Sequence, residues 1–167
     1  MIPQVLRNMA LFSDGVSFAG EVPTVTLPKL TRKVEDYQGG GMAGPIEIAV
    51  GLEKMEAAFT TNGVRRESLK LFGLSDQTAA NLVFRGAFGD LRGRVVPVIV
   101  TLRGGVKEID PGDWKAATVA EIKHAVTVTY YKLEIDGRVM FEVDPLNMIL
   151  VVDGVDQLAA ERSALGL

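Results

Sequence analysis

Three groups of residues in this chain have types and spacing that could do chemistry. The first is YQGGGMAGP, Tyr37 to Pro45, where Gly39, Gly41 and Gly44 satisfy the G-x-G-x-x-G spacing of a dinucleotide-binding turn. In such a turn the glycines let the backbone approach a pyrophosphate seated on the N-terminus of the helix that follows a buried strand. Here RKVEDYQ precedes the glycines, and Pro45 followed by IEIAVGL comes after them. The preceding segment is polar, and a period-two segment stands where the helix should begin. Gly39 and Gly44 also have P-loop spacing, but Pro45-Ile46 replaces the Lys-Ser/Thr that would hold phosphate and magnesium. These residues predict a long mobile loop with left-handed backbone positions rather than a nucleotide site.

The second group is His124, the sole histidine. One histidine cannot make a typical zinc site, and no nucleophile or orienting group is marked around it for base catalysis. The expectation is a partly exposed strand residue. The third is EIDPGDW, Glu108 to Trp114, with three carboxylates. It lacks the ligand spacing of an EF-hand, and reads as a β-turn centred on Pro111-Gly112 with Trp114 folding back over the core. The basic residues of LTRK and Arg65-Arg66 have no aromatic interleaving, which points to solvated faces or subunit contacts rather than nucleic-acid readout. No catalytic constellation, metal site or cofactor site is expected.

The elements that position these residues are mostly strands. Ile46, Ile48, Val50 and Leu52 alternate with polar positions such as Glu47, and Glu53 follows, so the apolar face is expected to pack inward. The phase then flips to Met55, Ala57 and Phe59, which suggests a bulge or a strand bending between two surfaces. Val126, Val128 and Tyr130 against Tyr131, Leu133 and Ile135 repeat that flip. Val96 to Leu102 forms a strand in which Pro97 argues for an edge or bulge position. Asp136-Gly137 marks a type I′ hairpin turn. Val16 to Val22 and Leu82 to Phe88 give further strands. Val64 to Gly73, with Asn62 as N-cap and Val64, Leu69 and Phe72 on one face, and Val155 to Gly166, with Asp156 as N-cap, read as helices.

A chain of 167 residues suggests one domain, and 47% hydrophobic with 23% charged residues is a globular composition. The net charge of −3 argues against a nucleic-acid binder acting through its overall charge. No cysteine is present, so disulfides and thiolate chemistry are excluded. MIPQVLRNMALF lacks the basic n-region of a signal peptide, and Met148 to Val152 is too short to span a bilayer, so a cytoplasmic product is the expectation. Long, phase-switching strands that are apolar on both faces in places imply a partner, which could be a second copy joined head to tail.

Three longer stretches carry a resemblance. VTLPKLTRKVEDYQGGGMAGP (Val25 to Pro45), VTVTYYKLEIDGR (Val126 to Arg138) and EVDPLNMILVVDGVDQLAAERSALGL (Glu142 to Leu167), with the opening LFSDGVSFAGEVPTV, resemble the major tail tube proteins of contractile-tailed bacteriophages and R-type pyocins. The resemblance implies a mainly β (α+β) fold, with two antiparallel sheets packed as a barrel-like sandwich and flanked by a helix. It implies homo-hexamer rings whose inner sheets join around a channel and which stack into a hollow tube. The implied partners are a sheath outside the tube, baseplate, tape measure and tail terminator proteins, and DNA passing in the lumen of a phage. The implied setting is a virion tail or pyocin particle assembled in the host cytoplasm, with no enzymatic step and no cofactor. A type VI secretion-like tube component and a small ligand-binding β-barrel are the alternatives.

On that resemblance the interface falls on the extended loop from Lys33 to Pro45, through Lys33, Glu35, Tyr37, Gly39, Gly40, Gly41, Met42 and Pro45. An N-terminal arm (residues 1–12, with Ile2 and Leu6) and a C-terminal helical segment (residues 155–167) are further contacts. A basic residue is common in the family where Gln38 stands, so one inter-subunit ion pair is expected to be missing. Glu47 and Glu53 are the lumen-facing candidates, with Glu134, Glu142 or Asp144 adding to an acidic lining that would repel DNA phosphate.

Overall fold

The computed structural model describes residues 3–167. Its strands, in chain order, are β1 (Val5–Ser13), β2 (Val16–Ser17), β3 (Thr24–Thr26), β4 (Arg32–Tyr37), β5 (Ile46–Leu52), β6 (Met55–Asn62), β7 (Ala80–Gly89), β8 (Val95–Asp110), β9 (Glu121–Ile135), β10 (Arg138–Asp144), β11 (Ile149–Val152) and β12 (Val155–Asp156). Two short helices, α1 (Arg66–Leu69) and α2 (Ala159–Leu165), interrupt or follow them. All strand pairs are antiparallel.

The long β8–β9 ribbon is the spine, because it belongs to two sheets. Toward its Asp136 end, β8 pairs with β7, and β9 pairs with β10, giving the order β12-β11-β10-β9-β8-β7-β1-β2. Toward its other end, the Glu121–Val128 half of β9 pairs instead with β6, which carries β3 on its far edge. The ribbon must bend between the two sheets, and β-bulges between Arg103 and Gly104 and between Val106 and Glu108 provide the bend. Gly104 is required there: a Cβ at this position would lie 1.8 Å from the Thr127 carbonyl oxygen. The phase flip read from Tyr130 to Tyr131 is the point at which β9 leaves one sheet for the other.

Between the sheets lies a core of alternate strand residues, among them Leu11, Phe59, Leu82, Phe84, Val100, Leu102, Val126, Tyr131 and Val143. Phe59 and Phe84 meet edge to face with centroids 6.2 Å apart. The strict inward alternation of Met55, Ala57, Phe59 and Thr61 on β6 puts Glu56 outside, where it bonds Lys107 at 2.6 Å and Lys54 at 3.4 Å. The β9–β10 turn is as expected, with positive φ at Asp136 (52°) and Gly137 (78°). Pro97 sits where β9 has given way to this turn, and its carbonyl accepts the Asp136 N–H at 2.8 Å.

Several expectations are corrected. The N-terminal arm is strand β1 in the main sheet, paired with β7 from Val5↔Gly89 to Phe12↔Val83; Ile2 lies outside the described residues. The helix expected from Val64 is one α-turn over Arg66–Leu69 and a 3-10 turn over Lys70–Gly73, with Arg65 rather than Asn62 at its cap. Its buried residues are Ser68 and Leu71, whereas Val64 and Phe72 are exposed. Val155 and Asp156 form β12, so the C-terminal helix begins only at Ala159. Asp156 still serves the helix end, because its carboxylate accepts the Leu158 N–H at 3.1 Å and pairs with Arg162. These bonds, that from Arg162 first, hold the Asp156 carboxyl below its ordinary value.

His124 is fully buried, not partly exposed. It faces inward opposite Phe59, with the rings stacked 4.5 Å apart and 3° from parallel. Neither ring nitrogen reaches a hydrogen-bond partner at acceptable geometry, so desolvation pushes its pKa down, and the nearby backbone of Ile122 and Phe59 offsets this only in part. Trp114 does not fold back over the core: it is 66% exposed.

Candidate assembly interface

The glycine-rich stretch belongs to a β-hairpin that stands apart from the main sheet. Among the described residues β4 and β5 pair only with each other, from Arg32↔Leu52 to Tyr37↔Ile46, with a bulge between Lys33 and Val34. The mobile loop expected from Lys33 onward is therefore strand as far as Tyr37, and only Gln38 to Pro45 is connection. The hairpin is the outer half of a longer ribbon. Thr26↔Ala58 in the main sheet and Arg32↔Leu52 in the hairpin are each six residues along their own strands, so the register is unchanged across the intervening gap. The Glu53 N–H to Thr31 carbonyl bond at 2.8 Å closes the gap on the hairpin side. The phase flip after Leu52 is thus a strand passing from one sheet to another through Glu53 and Lys54.

The tip is ordered by its own bonds. The Met42 N–H reaches the Gly39 carbonyl at 3.3 Å, and the Met42 thioether accepts the Gly39 N–H at 3.1 Å. Gln38 Nε2 donates to the Met42 carbonyl at 3.4 Å. Gly41 has φ of 83°, which favours glycine. A Cβ at Gly39 would stand 2.9 Å from the Tyr37 hydroxyl, so the ring folds along the glycine backbone.

Of the apolar face of β5, Leu52 packs against the core as expected, but Ile46, Ile48 and Val50 do not. Ile46 (52%), Ile48 (45%) and Val50 (51%) are exposed, as are Val34 and Tyr37 on β4. Tyr37 lies opposite Ile46 and Glu35 opposite Ile48 on one face; Asp36 lies opposite Glu47 and Val34 opposite Ala49 on the other. A two-stranded hairpin that buries neither face is marginal by itself, and both its strands are open edges. Its apolar residues have the spacing of a half-buried strand, yet among the described residues Ile46, Ile48 and Val50 stay exposed.

At the hairpin's base a cleft of ≈ 670 Å³ separates Val50 and Leu52 from Met148, Ile149, Leu150 and Leu158. Leu6 is exposed on β1, and the Arg7 guanidinium reaches the Asp90 carbonyl at 3.0 Å. Leu165 and Leu167 are exposed at the C-terminal end. Lys33, Glu35, Tyr37, Met42 and Pro45 are thus brought together on one projection, whereas Leu6 lies in the main sheet. Glu47 and Glu53 are both exposed, Glu47 beside Asp36 and Glu53 at the junction with β6. The other acidic candidates are engaged: Glu134 pairs with Lys132 at 3.2 Å, Glu142 accepts the Tyr130 hydroxyl at 3.2 Å, and Asp144 accepts from Asn147 at 2.7 Å.

Sequence comparison decides the family of this mainly β chain. Residues 3–166 match the family described as phage tail tube protein FII. The chain belongs to the phage tail tube family. It is 36% identical over 170 residues to the tail tube protein of Escherichia phage P2, covering 99% of both chains. It is 40% identical over 174 residues to the major tail tube protein of Serratia phage KSP20, covering 99% of this chain and 98% of that one. The fold is also that of a chain in the cryo-EM structure of an extracellular contractile injection system, the PVC sheath/tube terminator in its extended state. The TM-score is 0.60 at 6% identity, over 80% of this chain and 98% of that one. The role of this tail tube protein is structural, as a component of a contractile phage tail or a related injection system, and not enzymatic.

Proposed function

We propose that copies of this tail tube protein close into rings of six that stack head to tail into a hollow tube, with the β4–β5 hairpin as the reaching element of the stack. The observation that supports this most is the hairpin itself: Val34, Tyr37, Ile46, Ile48 and Val50 are exposed on a ribbon that continues in register out of the main sheet. A head-to-tail contact covers such a projection with an unlike surface of the next copy, and repetition extends the assembly. Gly39, Gly40 and Gly41 allow close backbone approach, and Tyr37 and Met42 are the anchoring side chains.

The sheet edges left open by β3 and by the Gly105–Asp110 part of β8 would join neighbours within a ring around a channel. Glu47 and Glu53 line that channel and repel DNA phosphate in transit. A sheath surrounds the tube, and baseplate, tape measure and terminator proteins bound its length in a virion tail assembled in the host cytoplasm. Negative-stain electron microscopy of the purified protein at rising concentration, with and without baseplate, tests this reading. Hollow tubes of stacked sixfold rings are expected, and discrete monomers under every condition would overturn it.

A further inference from the structure

Head-to-tail stacking needs two unlike surfaces at opposite ends of the subunit, and the hairpin is one of them. The β3–β4/β5–β6 ribbon fixes where the other must be. Its inner end pairs Asn62 with Glu121, beside the β8–β9 connection, and the Gly63 N–H reaches the Ala120 carbonyl at 2.7 Å. Its outer end is the Gln38–Pro45 tip. From Asn62 back to Ile46 the chain spans roughly 50 Å if extended, so the tip and the residue 111–120 connection stand at opposite ends along the strands.

That connection presents an uncovered tryptophan. Trp114 and Val119 are each 66% exposed, in a class of side chain that is normally well covered. The indole is not loose, because its Nε1–H donates to the Pro111 carbonyl at 3.0 Å. The loop beneath is braced by the Gly112 N–H on the Asp110 carboxylate at 2.9 Å and the Thr118 N–H on the Lys115 carbonyl at 3.3 Å. A fixed, solvent-facing aromatic is the form that interface anchors take, because little rotamer entropy is lost on binding. The tip has the complementary character: beside Gly39, which the Tyr37 ring lines, Gly40 and Gly41 are open and admit a flat ring against backbone, Met42 supplies a soft apolar contact, and no residue from Gln38 to Pro45 is charged. It can therefore meet the mixed charges of Asp113 and Lys115 without a like-charge cost.

We infer that the Trp114–Val119 loop is the surface on which the β4–β5 hairpin tip of the next copy docks. The inference rests on the stacked-tube reading and adds its second half.

Trp114 is the sole tryptophan, so its fluorescence reports this loop alone in the unmodified protein. Emission spectra are recorded on the same samples that are imaged for tubes, with baseplate added as seed. Tubes with a blue-shifted emission maximum and reduced acrylamide quenching are the expected result. Tubes whose emission stays that of the free subunit overturn the docking surface and leave the tube reading standing; absence of tubes throughout overturns the tube reading and the inference with it. Because the chain has no cysteine, Met42→Cys and Lys115→Cys variants mixed in one assembly and oxidised should give a 42–115 cross-linked dimer; tubes without that band count against the contact. Trp114→Ala, with its melting temperature unchanged, should raise the concentration needed for tubes about tenfold or more, and wild-type assembly by this variant would refute the proposal.

Discussion

Replacing His124 by phenylalanine should make the subunit less sensitive to acid, and the size of the effect follows from where the imidazole sits. His124 is fully buried and stacked on Phe59, and among the described residues neither ring nitrogen makes a hydrogen bond of good geometry. On β6, β8 and β9 the charged neighbours Glu56, Lys107, Glu108, Asp110, Glu121 and Lys123 lie at positions that alternate away from it, so no carboxylate holds a proton on the ring. The folded pKa is depressed by desolvation. As pH falls below the ordinary histidine value of about 6.5, the unfolded chain takes up a proton that the folded chain refuses. The unfolded state then binds more protons, so stability falls with pH, and it goes on falling until the depressed folded pKa is reached. Between pH 7 and pH 5 the loss from this one group is at most about 2 kcal/mol, or ~4–8 °C in Tm for a chain of this size.

His124→Phe keeps the stack and removes the titration. Urea denaturation of wild type and variant at dilute subunit concentration, from pH 7 to pH 5, is the assay. Since no other histidine is present, the two curves share every other titrating group, and their difference should widen steadily below about pH 6.5. Parallel curves would refute the reasoning and mean that the imidazole is protonated as easily inside the fold as outside it.

Three further outcomes follow from the fold. Gly104→Ala places a methyl 1.8 Å from the Thr127 carbonyl oxygen where β8 changes sheet; it should yield insoluble or unfolded protein, seen in soluble expression and circular dichroism, and a well-folded variant would show that the bend can move elsewhere. Phe59→Ala removes a buried ring in contact with both Phe84 and His124 and should cost about 3–5 kcal/mol in chemical denaturation. Ile48→Lys lies on the exposed face of β5; it should leave the subunit's Tm unchanged while abolishing tubes in electron micrographs, and a lowered Tm would instead place Ile48 in the subunit's own packing.

The strands were legible in the sequence because their inward residues alternate over many positions, as in β6 and β9, and because Asp136-Gly137 names its turn. The phase flips after Leu52 and at Tyr130–Tyr131 also marked real events, the passage of a strand between sheets. Periodicity could not say what covers a face. Ile46, Ile48 and Val50 alternate as well as Ala57 and Phe59 do, yet the first set is exposed in the subunit and the second is core. Alternation records that a face avoids water, not whether this chain or another does the covering. Trp114 and His124 exchanged their expected places for a related reason: a single residue has no period. The C-terminal helix starts later than expected because Val155 and Asp156 pair as β12, and the Asp156 carboxylate accepts the Leu158 N–H just ahead of the helix.

The unchanged register from the core ladder to the hairpin also has a mechanical meaning. A load at the tip directed along the ribbon enters β6 parallel to its strands. It then acts in shear on the eight residue pairs from Met55↔Val128 to Asn62↔Glu121 together, rather than opening them one by one. The ladder is interrupted between Thr26 and Arg32 on one strand and at Glu53 and Lys54 on the other, and the Glu53 N–H to Thr31 carbonyl bond spans that gap, so the load crosses this junction before it reaches the eight pairs.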